Sequence, residues 1–182
     1  MKKIPLKNNT NNRLQSYQMS ETSDIASAAS SDIEKFLLNH PSTLSVKNVE
    51  NVTEYQHLDI DLIWKYKKDT TIHEKTIEIT ADRYHKTGNY FFETISNEKK
   101  GTPGCFIYST ADYLFYYFID EKELHIMPLK KARKWFTDRI DRFKERKTST
   151  PVGSDKYYIT VGRLVPRNIF KKAFKQLRII KL

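Results

Sequence analysis

The sequence predicts a mixed α/β domain, and three observations lead to that fold class. Apolar residues between Ile25 and Leu37 recur at helical spacing, which is typical of an amphipathic helix. Four segments between residues 44 and 96 have the alternation and the aromatic and β-branched content of strands. A second amphipathic pattern covers Leu129 to Phe143, and a further strand and helix follow it. The chain of 182 residues is long enough for one such domain with an ordinary core.

Residues 1–19 are predicted to form a flexible N-terminal arm, and residues 20–182 a single domain. The arm is rich in Asn, Lys, Gln and Thr, and it buries too little apolar surface to offset the entropy of ordering. The first helix follows, with Thr22 or Ser23 as its N-cap and Pro41 just beyond its end. Its predicted buried stripe consists of Ile25, Ala28, Ala29, Ile33, Phe36 and Leu37.

The predicted strands are "LSVKNVENV", "LDIDLIWKY", "KTIEIT" and "YFFETIS". Turn material such as "KKDTT", "HKTGN" and "NEKKGTPG" separates the last three of them and follows the fourth. An antiparallel meander is the simplest topology for such a series. If "NYFFET" is a strand, Asn89, Phe91 and Glu93 share one of its faces.

The second half of the chain is predicted to alternate between helices and strands. Ser109 and Asp112 resemble a capping box for a short aromatic helix, "TADYLFYYF", and "ELHIMPL" has the pattern of a strand. The next helix places apolar residues from Leu129 to Phe143 on one side. A strand then leads to a C-terminal helix that opens with Pro166 at its first position.

The charges of the chain are divided between its two parts. Residues 1–129 carry 15 Lys and Arg against 18 Asp and Glu, a net charge of −3, whereas residues 130–182 carry 17 against 4, a net charge of +13. This division suits a protein that holds a metal with one part and a polyanion with the other, because basic residues release counterions when they neutralise phosphates. The alternative is that the basic C-terminal part serves only solubility.

The compartment is expected to be a reducing cytoplasm. The single cysteine, Cys105, rules out an internal disulfide, and a small buried or turn residue is favoured there over a reactive thiol. The N-terminus has positive charge without an apolar stretch behind it, and the longest apolar run, "YLFYYFI", is too short to cross a membrane. We therefore expect a soluble protein with no membrane partner.

Acidic residues on two adjacent predicted strands form the main candidate site. Residues two apart in a strand share a face, so Asp59, Asp61 and Ile63 would point one way while Ile60, Leu62 and Trp64 form the core face. On the next strand Glu78 and Thr80 share a face, which allows Asp61 and Glu78 to lie side by side. Opposed carboxylates repel unless a cation lies between them, and such oxygen ligands suit Mg²⁺ or Mn²⁺. The alternative is an ordinary solvated face of a hairpin.

The order of elements, together with "DIDLIW" and "TIEIT", resembles the PD-(D/E)XK nuclease superfamily over roughly Ile25 to Phe143. The resemblance implies a restriction-endonuclease-like core, with a central mixed sheet that an antiparallel hairpin opens and helices flank. It also implies that Asp61, with Asp59 as the alternate, and Glu78 are the catalytic acids. These acids and the main-chain carbonyl of Ile79 would bind the divalent ion, and Thr80 stands where the family keeps a lysine.

The stretch "TGNYFFET…GTPGCFIYSTADYLFYYF" is further similar to phage and mobile-element members that follow the acidic strand with a "TGN" turn. By this likeness Thr87, Gly88, Asn89 and Glu93 belong near the site. On residue type alone, ordinary turn chemistry explains Gly88 and Asn89.

Threonine at position 80 lacks the charge of the lysine that orients the attacking water in this family. Another residue can bring the cation instead, and the candidates are Arg83, Lys86, Lys99 and Lys100. Losing a positioned electrostatic group typically lowers a rate by about 10² to 10³, so such a site would be slow rather than dead. A deliberate substitution that inactivates the protein is the other explanation.

The expected partner is nucleic acid, DNA in the first instance, with a homodimer as an open alternative. The basic C-terminal segment would bind the phosphate backbone through Arg167, Lys171, Lys172 and Lys175, as would Arg83, Lys86, Asn89, Lys99 and Lys100 near the acids. The expected function is therefore a Mg²⁺- or Mn²⁺-dependent nuclease of phage, plasmid or defence biology. The alternatives are a lapsed nuclease fold that binds nucleic acid or a partner, and a small basic accessory protein.

Overall fold

The computed structural model describes residues 15–16, 19–151 and 157–182, and side chains over 23–149 and 157–182. Most of the predicted arm, residues 1–14 and 17–18, lies outside the described residues, so its flexibility stays a prediction. Gln15–Ser16 forms a short strand, and the first helix already begins at Met19. No helix in the described ranges is long and apolar enough to cross a membrane.

The chain forms five helices and eleven strands over the described residues. The helices are α1 (Met19–Leu38), α2 (Thr53–Gln56), α3 (Cys105–Tyr108), α4 (Leu129–Thr137) and α5 (Arg167–Ala173). The strands are β1 (Gln15–Ser16), β2 (Thr43–Asn48), β3 (Leu62–Lys68), β4 (Thr71–Asp82), β5 (Asn89–Asn97), β6 (Thr102–Pro103), β7 (Tyr113–Phe118), β8 (Glu123–Pro128), β9 (Lys144–Pro151), β10 (Tyr157–Pro166) and β11 (Arg178–Lys181). The predicted mixed α/β class is confirmed.

The first sheet has six strands in the order β11-β8-β7-β4-β3-β2. Strands β2, β3 and β4 form the antiparallel meander that the sequence predicts, and β7 joins β4 in parallel. Ile77 is paired with Leu62 of β3 on one side and with Tyr113 of β7 on the other. Glu78 therefore lies where the ladder of β4 with β3 ends and its ladder with β7 continues.

The second sheet has the order β1-β9-β10-β5-β6, in which β1 is parallel to β9 and the other pairs are antiparallel. The prediction of a single meander is wrong for β5, because this strand belongs to the second sheet, where it pairs with β10 from the C-terminal part. Its register with β10 shifts between Val161 and Gly162, opposite Glu93. A Cβ atom at position 162 would lie 2.4 Å from the Phe91 ring, so glycine is what this crossing accommodates.

Two clusters of buried residues cover the two faces of the first sheet. On one face α1 packs through Ala29, Ile33 and Leu37, which confirms the predicted stripe of the first helix in these positions. On the other face aromatic residues of both sheets and of α3, α4 and α5 form the larger core. At its centre the Phe92 ring stacks on Phe106 with centroids 3.9 Å apart. Because both faces are covered, Ile63 is buried along with Ile60 and Leu62, and the predicted split into one core face and one polar face is wrong.

Several predicted elements differ from the structure. The segment predicted as an aromatic helix is strand β7, whose residues Leu114 to Phe118 are all buried between the two clusters. The helix predicted over Leu129 to Phe143 ends at Thr137 and continues into a 3-10 turn at Ile140–Arg142. The strands β9 and β11 were not predicted, because their polar and basic composition resembles that of a surface segment. Pro166 precedes α5 as its N-cap rather than occupying its first turn.

We expect Phe92→Ala to lower the free energy of unfolding by about 3 to 5 kcal/mol, since it removes a buried ring that joins β5 to α3, α4 and α5. Denaturant unfolding followed by circular dichroism measures the change. Leu44→Ala, at a side chain that is 54% exposed, is the control and should change stability by less than about 0.5 kcal/mol. Equal effects of the two substitutions would contradict this assignment of the core.

Candidate metal centre

Asp61 lies at the point where β3 separates from β4, immediately before Leu62. Its backbone N–H still donates to the Ile77 carbonyl at 2.9 Å, and its own carbonyl accepts from Val49 N–H at 2.8 Å. Its carboxylate Oδ2 then accepts a hydrogen bond of 2.7 Å from Ile79 N–H, a donor that the β3 ladder no longer reaches. This bond fixes the Asp61 carboxylate against β4, as the sequence predicts for a residue beside Glu78.

The sequence predicts that Asp59 lies in a strand, and this prediction is wrong. Asp59 lies in a turn, with a left-handed φ of 55°. Its carbonyl accepts a 2.7 Å hydrogen bond from the Ser109 hydroxyl, and its Oδ1 accepts one of 3.2 Å from the Tyr108 hydroxyl. Its Oδ2 is buried and has no hydrogen-bond partner. The turn nevertheless brings the Asp59 carboxylate to the same cluster as Glu78. The predicted alternate acid therefore reaches the site by a different route.

Glu78 is the most buried acid of the cluster, with 6% of its surface exposed. Burial, followed by the charges of Asp61 and Asp59, raises the pKa of its carboxyl well above the ordinary value. Its Oε2 is buried and has no hydrogen-bond partner. An unpartnered carboxylate oxygen inside a protein is unfavourable unless a proton or a cation compensates it.

Glu93 brings a fourth acid from β5 of the second sheet. The pKa of Glu93 is raised to about 7, mainly by burial. A hydrogen bond from Cys105 N–H partly offsets this shift, and the charge of Asp59 adds to it. The alternation of buried Tyr90 and Phe92 with Asn89, Phe91 and Glu93 confirms the predicted shared face. Close approach of α3 depends on Gly104, because a Cβ there would lie 2.6 Å from Glu93 Cγ.

Cys105 completes the cluster and was not predicted to belong to it. Its Sγ, one carboxylate oxygen of Asp59 and one of Glu78 all lie within 4.8 Å of one another. Burial, and then the charges of Glu93, Glu78 and Asp59, raise the pKa of the thiol well above its ordinary value. The only sequence signal was a lone cysteine between a glycine and an aromatic residue, and such a residue is usually structural.

Thr80 is half-buried on β4, and its side chain acts on Cys105 by lowering the pKa of the thiol, against the larger effect of burial. The four candidate cations, Arg83, Lys86, Lys99 and Lys100, all have exposed side chains. Arg133 of α4, which was not predicted, is a cation whose charge acts on Asp59. Its guanidinium is directed to main-chain oxygens, because it donates to the carbonyls of Phe106 at 2.8 Å and Ser109 at 2.5 Å. Arg133 therefore holds the loop that positions Asp59.

The "TGN" turn lies at a cavity that the acid cluster does not line. Thr87, Gly88 and Asn89 line a space of about 550 Å³ together with Glu123, His125, Arg167 and Lys171, whereas the four clustered acids do not line it. Gly88 has φ of 72° and its carbonyl accepts from Arg167 N–H at 2.8 Å. Asn89 donates from its side chain to the Thr87 carbonyl at 3.0 Å. These contacts are turn chemistry, the alternative that residue type favoured, and they join the turn to α5.

The cavity at the "TGN" turn is lined by part of a network of charges centred on Glu123. His125 Nε2 lies 2.8 Å and His85 Nε2 3.2 Å from its Oε1. Burial opposes the charge of Glu123, but the hydrogen bonds from His125 and His85 outweigh it and bring its pKa to about 2. Arg167, predicted to bind phosphate, lies 3.7 Å from the same carboxylate and stacks its guanidinium 4.6 Å from the centre of the Phe118 ring. Lys171, Lys172 and Lys175 are exposed, so a role in binding nucleic acid stays a prediction for these three.

Comparison of the chain with protein-family models, with curated proteins and with solved structures finds no match. The assignment of chemistry therefore depends on the geometry of the cluster. The donor set fits a divalent cation, because two buried carboxylate oxygens without partners, on Asp59 and Glu78, belong to residues that group with the Cys105 sulfur. Asp61 and Glu93 add further carboxyl groups at the margin. Whether the Ile79 carbonyl is also a ligand stays a prediction.

We expect added Mn²⁺ to stabilise the protein more at pH 7.5 than at pH 5. The folded-state pKa is raised to about 6 for Asp61 and about 7 for Glu93, so without metal these groups lose stabilising free energy as pH rises through that range. A cation binds the ionised forms, and at 100 times its Kd it should add about 2.7 kcal/mol, or roughly 5 to 10 °C in Tm. Thermal unfolding with and without Mn²⁺ at both pH values measures the effect.

The control for this experiment is a pair of matched substitutions. Glu78→Gln should abolish most of the Mn²⁺ effect, whereas Glu54→Gln, at an exposed residue of α2, should leave it unchanged. A shift that is the same at both pH values, or the same in Glu78→Gln as in the unchanged chain, would argue against a metal at these acids.

Proposed function

We propose that this protein is a divalent-metal-dependent nuclease that hydrolyses phosphodiester bonds, with DNA as its expected substrate. The observation that carries the proposal is the buried Glu78 carboxylate, which has an unpartnered oxygen and lies beside Asp61 and Asp59. Clustered carboxylates of this kind bind metals that accept phosphate oxygens. A cation held there would lower the pKa of a bound water and neutralise charge on the phosphate.

The order of elements around the acids supports the same proposal. By the resemblance, helix α1, the meander of β2, β3 and β4, and the parallel strand β7 would correspond to the elements of a restriction-endonuclease-like core. Asp61 adjoins β3 and Glu78 lies on β4, so they would correspond to the first and second acids of that family. Between β4 and β7 this chain inserts β5, β6 and α3, and this insertion supplies Glu93 and Cys105 to the cluster.

Each clustered residue has a role that its own environment supports. Asp61, Asp59 and Glu78 hold the cation. Glu93 has a pKa of about 7, so at neutral pH it exchanges a proton readily and can accept the proton of the attacking water. In this proposal Glu93 is the proton acceptor, and it does not supply the positive charge with which the lysine of the resembling family orients the water. Exposed basic residues of the C-terminal part bind the phosphate backbone.

We expect purified protein to cleave DNA in Mn²⁺ or Mg²⁺, and Asp61→Asn or Glu78→Gln to lower the rate by about 10²-fold or more. Both substitutions keep the shape of the side chain, and the amide oxygen introduced by Asp61→Asn can still accept the hydrogen bond from Ile79 N–H. Asp141→Asn and Glu54→Gln, at exposed acids, are the matched controls and should keep full activity. Single-stranded, duplex and branched DNA, with RNA in parallel, are the substrates to assay.

The second candidate function is that of a lapsed nuclease fold that binds nucleic acid or a partner, and the neutral Thr80 is the observation that favours it. Thr80→Lys separates the two functions. Cleavage that is present only in Thr80→Lys supports the lapsed fold, whereas cleavage by the unchanged chain that Asp61→Asn abolishes supports the enzyme. Binding of nucleic acid without cleavage in both chains would leave only the binding function.

A further inference from the structure

The chain's single cysteine lies at the acid cluster rather than at an unrelated place in the core. Cys105 is the first residue of α3, and its Sγ lies within 4.8 Å of a carboxylate oxygen of both Asp59 and Glu78. Tetrahedral ligands about 2.0 to 2.3 Å from a common ion are separated by roughly 3.3 to 3.8 Å, so the three atoms would have to draw together by up to about 1 to 1.5 Å to share one ion. The cluster therefore brings one sulfur and two carboxylate oxygens near enough to meet at one ion after side-chain adjustment.

The carboxylates of Asp59 and Glu78 each have one buried oxygen without a hydrogen-bond partner. Glu78, with 6% of its surface exposed, has a buried Oε2 without a hydrogen-bond partner, and the same holds for Oδ2 of the partly exposed Asp59. These atoms indicate a ligand independently of the cysteine, because buried carboxylate oxygens in folded proteins normally have a partner. A cation placed among the three residues supplies one to each of them.

The Cys105 sulfur lies beside the carboxylates of Asp59 and Glu78. A divalent ion bound among these groups would take the sulfur as a thiolate, because a coordinated thiol loses its proton. On binding, the S–H bond of Cys105 is replaced by a bond from sulfur to the ion, and the proton leaves to solvent.

We propose that the Cys105 thiolate is a ligand of the metal centre, together with Asp59 and Glu78, and that the centre prefers a sulfur-accepting cation such as Zn²⁺ over Mg²⁺. The proposal rests on the proposed function and deepens it by naming the class of metal. Thiolate ligands suit zinc and similar ions, whereas Mg²⁺ selects oxygen donors and resists losing its waters.

The residue at position 80 agrees with this assignment. The Thr80 side chain is near enough to Cys105 to lower the pKa of the thiol, and it occupies the position at which the resembling nuclease superfamily keeps a lysine. An ammonium group there would repel the cation and would compete with it for the thiolate. The neutral Thr80 side chain neither repels a cation nor competes with it for the Cys105 thiolate.

The test is titration of the full chain with Co²⁺, a spectroscopic probe for zinc sites. Because Cys105 is the only cysteine, a sulfur-to-cobalt charge-transfer band in the near ultraviolet can arise within one chain from this residue alone. We expect such a band, with one Co²⁺ per chain at saturation, displaced by equimolar Zn²⁺ but not by Mg²⁺. Cys105→Ser should abolish the band and weaken Zn²⁺ binding by at least about tenfold, since loss of even an outer hydrogen-bond partner of a ligand has an effect of that size.

A second measurement uses the unchanged chain and so does not depend on the folding of a variant. Zn²⁺ should slow the reaction of Cys105 with a thiol reagent by at least about tenfold, and Mg²⁺ at the same concentration should not, because a coordinated sulfur is not free to react. Asp141→Asn serves as the control and should behave as the unchanged chain in both measurements.

The outcomes separate this inference from the proposed function. Co²⁺ or Mn²⁺ binding without a charge-transfer band, at an affinity that Glu78→Gln lowers and Cys105→Ser does not, overturns the thiolate ligand and leaves the carboxylate centre standing. Binding that Glu78→Gln leaves unchanged overturns the metal centre of the proposed function. A band that is present in the unchanged chain and absent from Cys105→Ser supports the thiolate ligand even if no nucleic acid is cleaved.

Discussion

The confinement of the Glu78 carboxylate is the constraint on which the rest of the site depends. Its neighbours Ile77 and Ile79 contribute to the cluster between the first sheet and α1, so alternation along β4 directs Glu78 to the opposite face. There it lies near Asp61, Asp59 and Glu93, whose charges oppose its own. The fold cannot relieve this repulsion by moving the side chain, because β4 is held in register by β7. Compensation has to come from protons or from a bound cation.

Helix α3 and Ser109, which follows it, make this confinement tighter and link the two sheets. Ser109 donates to the Asp59 carbonyl, Tyr108 donates to its carboxylate, and Arg133 of α4 donates to the carbonyls of Phe106 and Ser109. Phe106 stacks on Phe92 of β5, so α3 is anchored in the larger core. Helix α3 therefore lies beside the acids of the first sheet, and contacts with β5 of the second sheet and with α4 hold it there.

Sequence patterns could predict that Asp61 and Glu78 lie side by side, because both belong to one local hairpin in which a period of two and a short turn determine the neighbours. Cys105 and Arg133 could not be predicted in the same way, since they reach the site through long-range packing of α3 and α4. Strand β7 was mistaken for a helix because a continuous run of buried aromatic residues has no period, and only its burial on both faces explains it. Burial on both faces of the sheet also explains why alternation along β3 failed to predict that Ile63 is buried.

The neutral side chain of Thr80 affects the charge balance of the whole acid cluster. A lysine would neutralise one carboxylate permanently, whatever the pH. Without it, and with Arg133 directed mainly to main-chain carbonyls, the charges of Asp61, Glu78 and Glu93 are balanced by protons or by metal. Proton and metal then compete for the same oxygens, so metal affinity should depend on pH more steeply than in a site that contains the lysine. If the Cys105 thiol is a ligand, as proposed above, its proton adds one more to this competition.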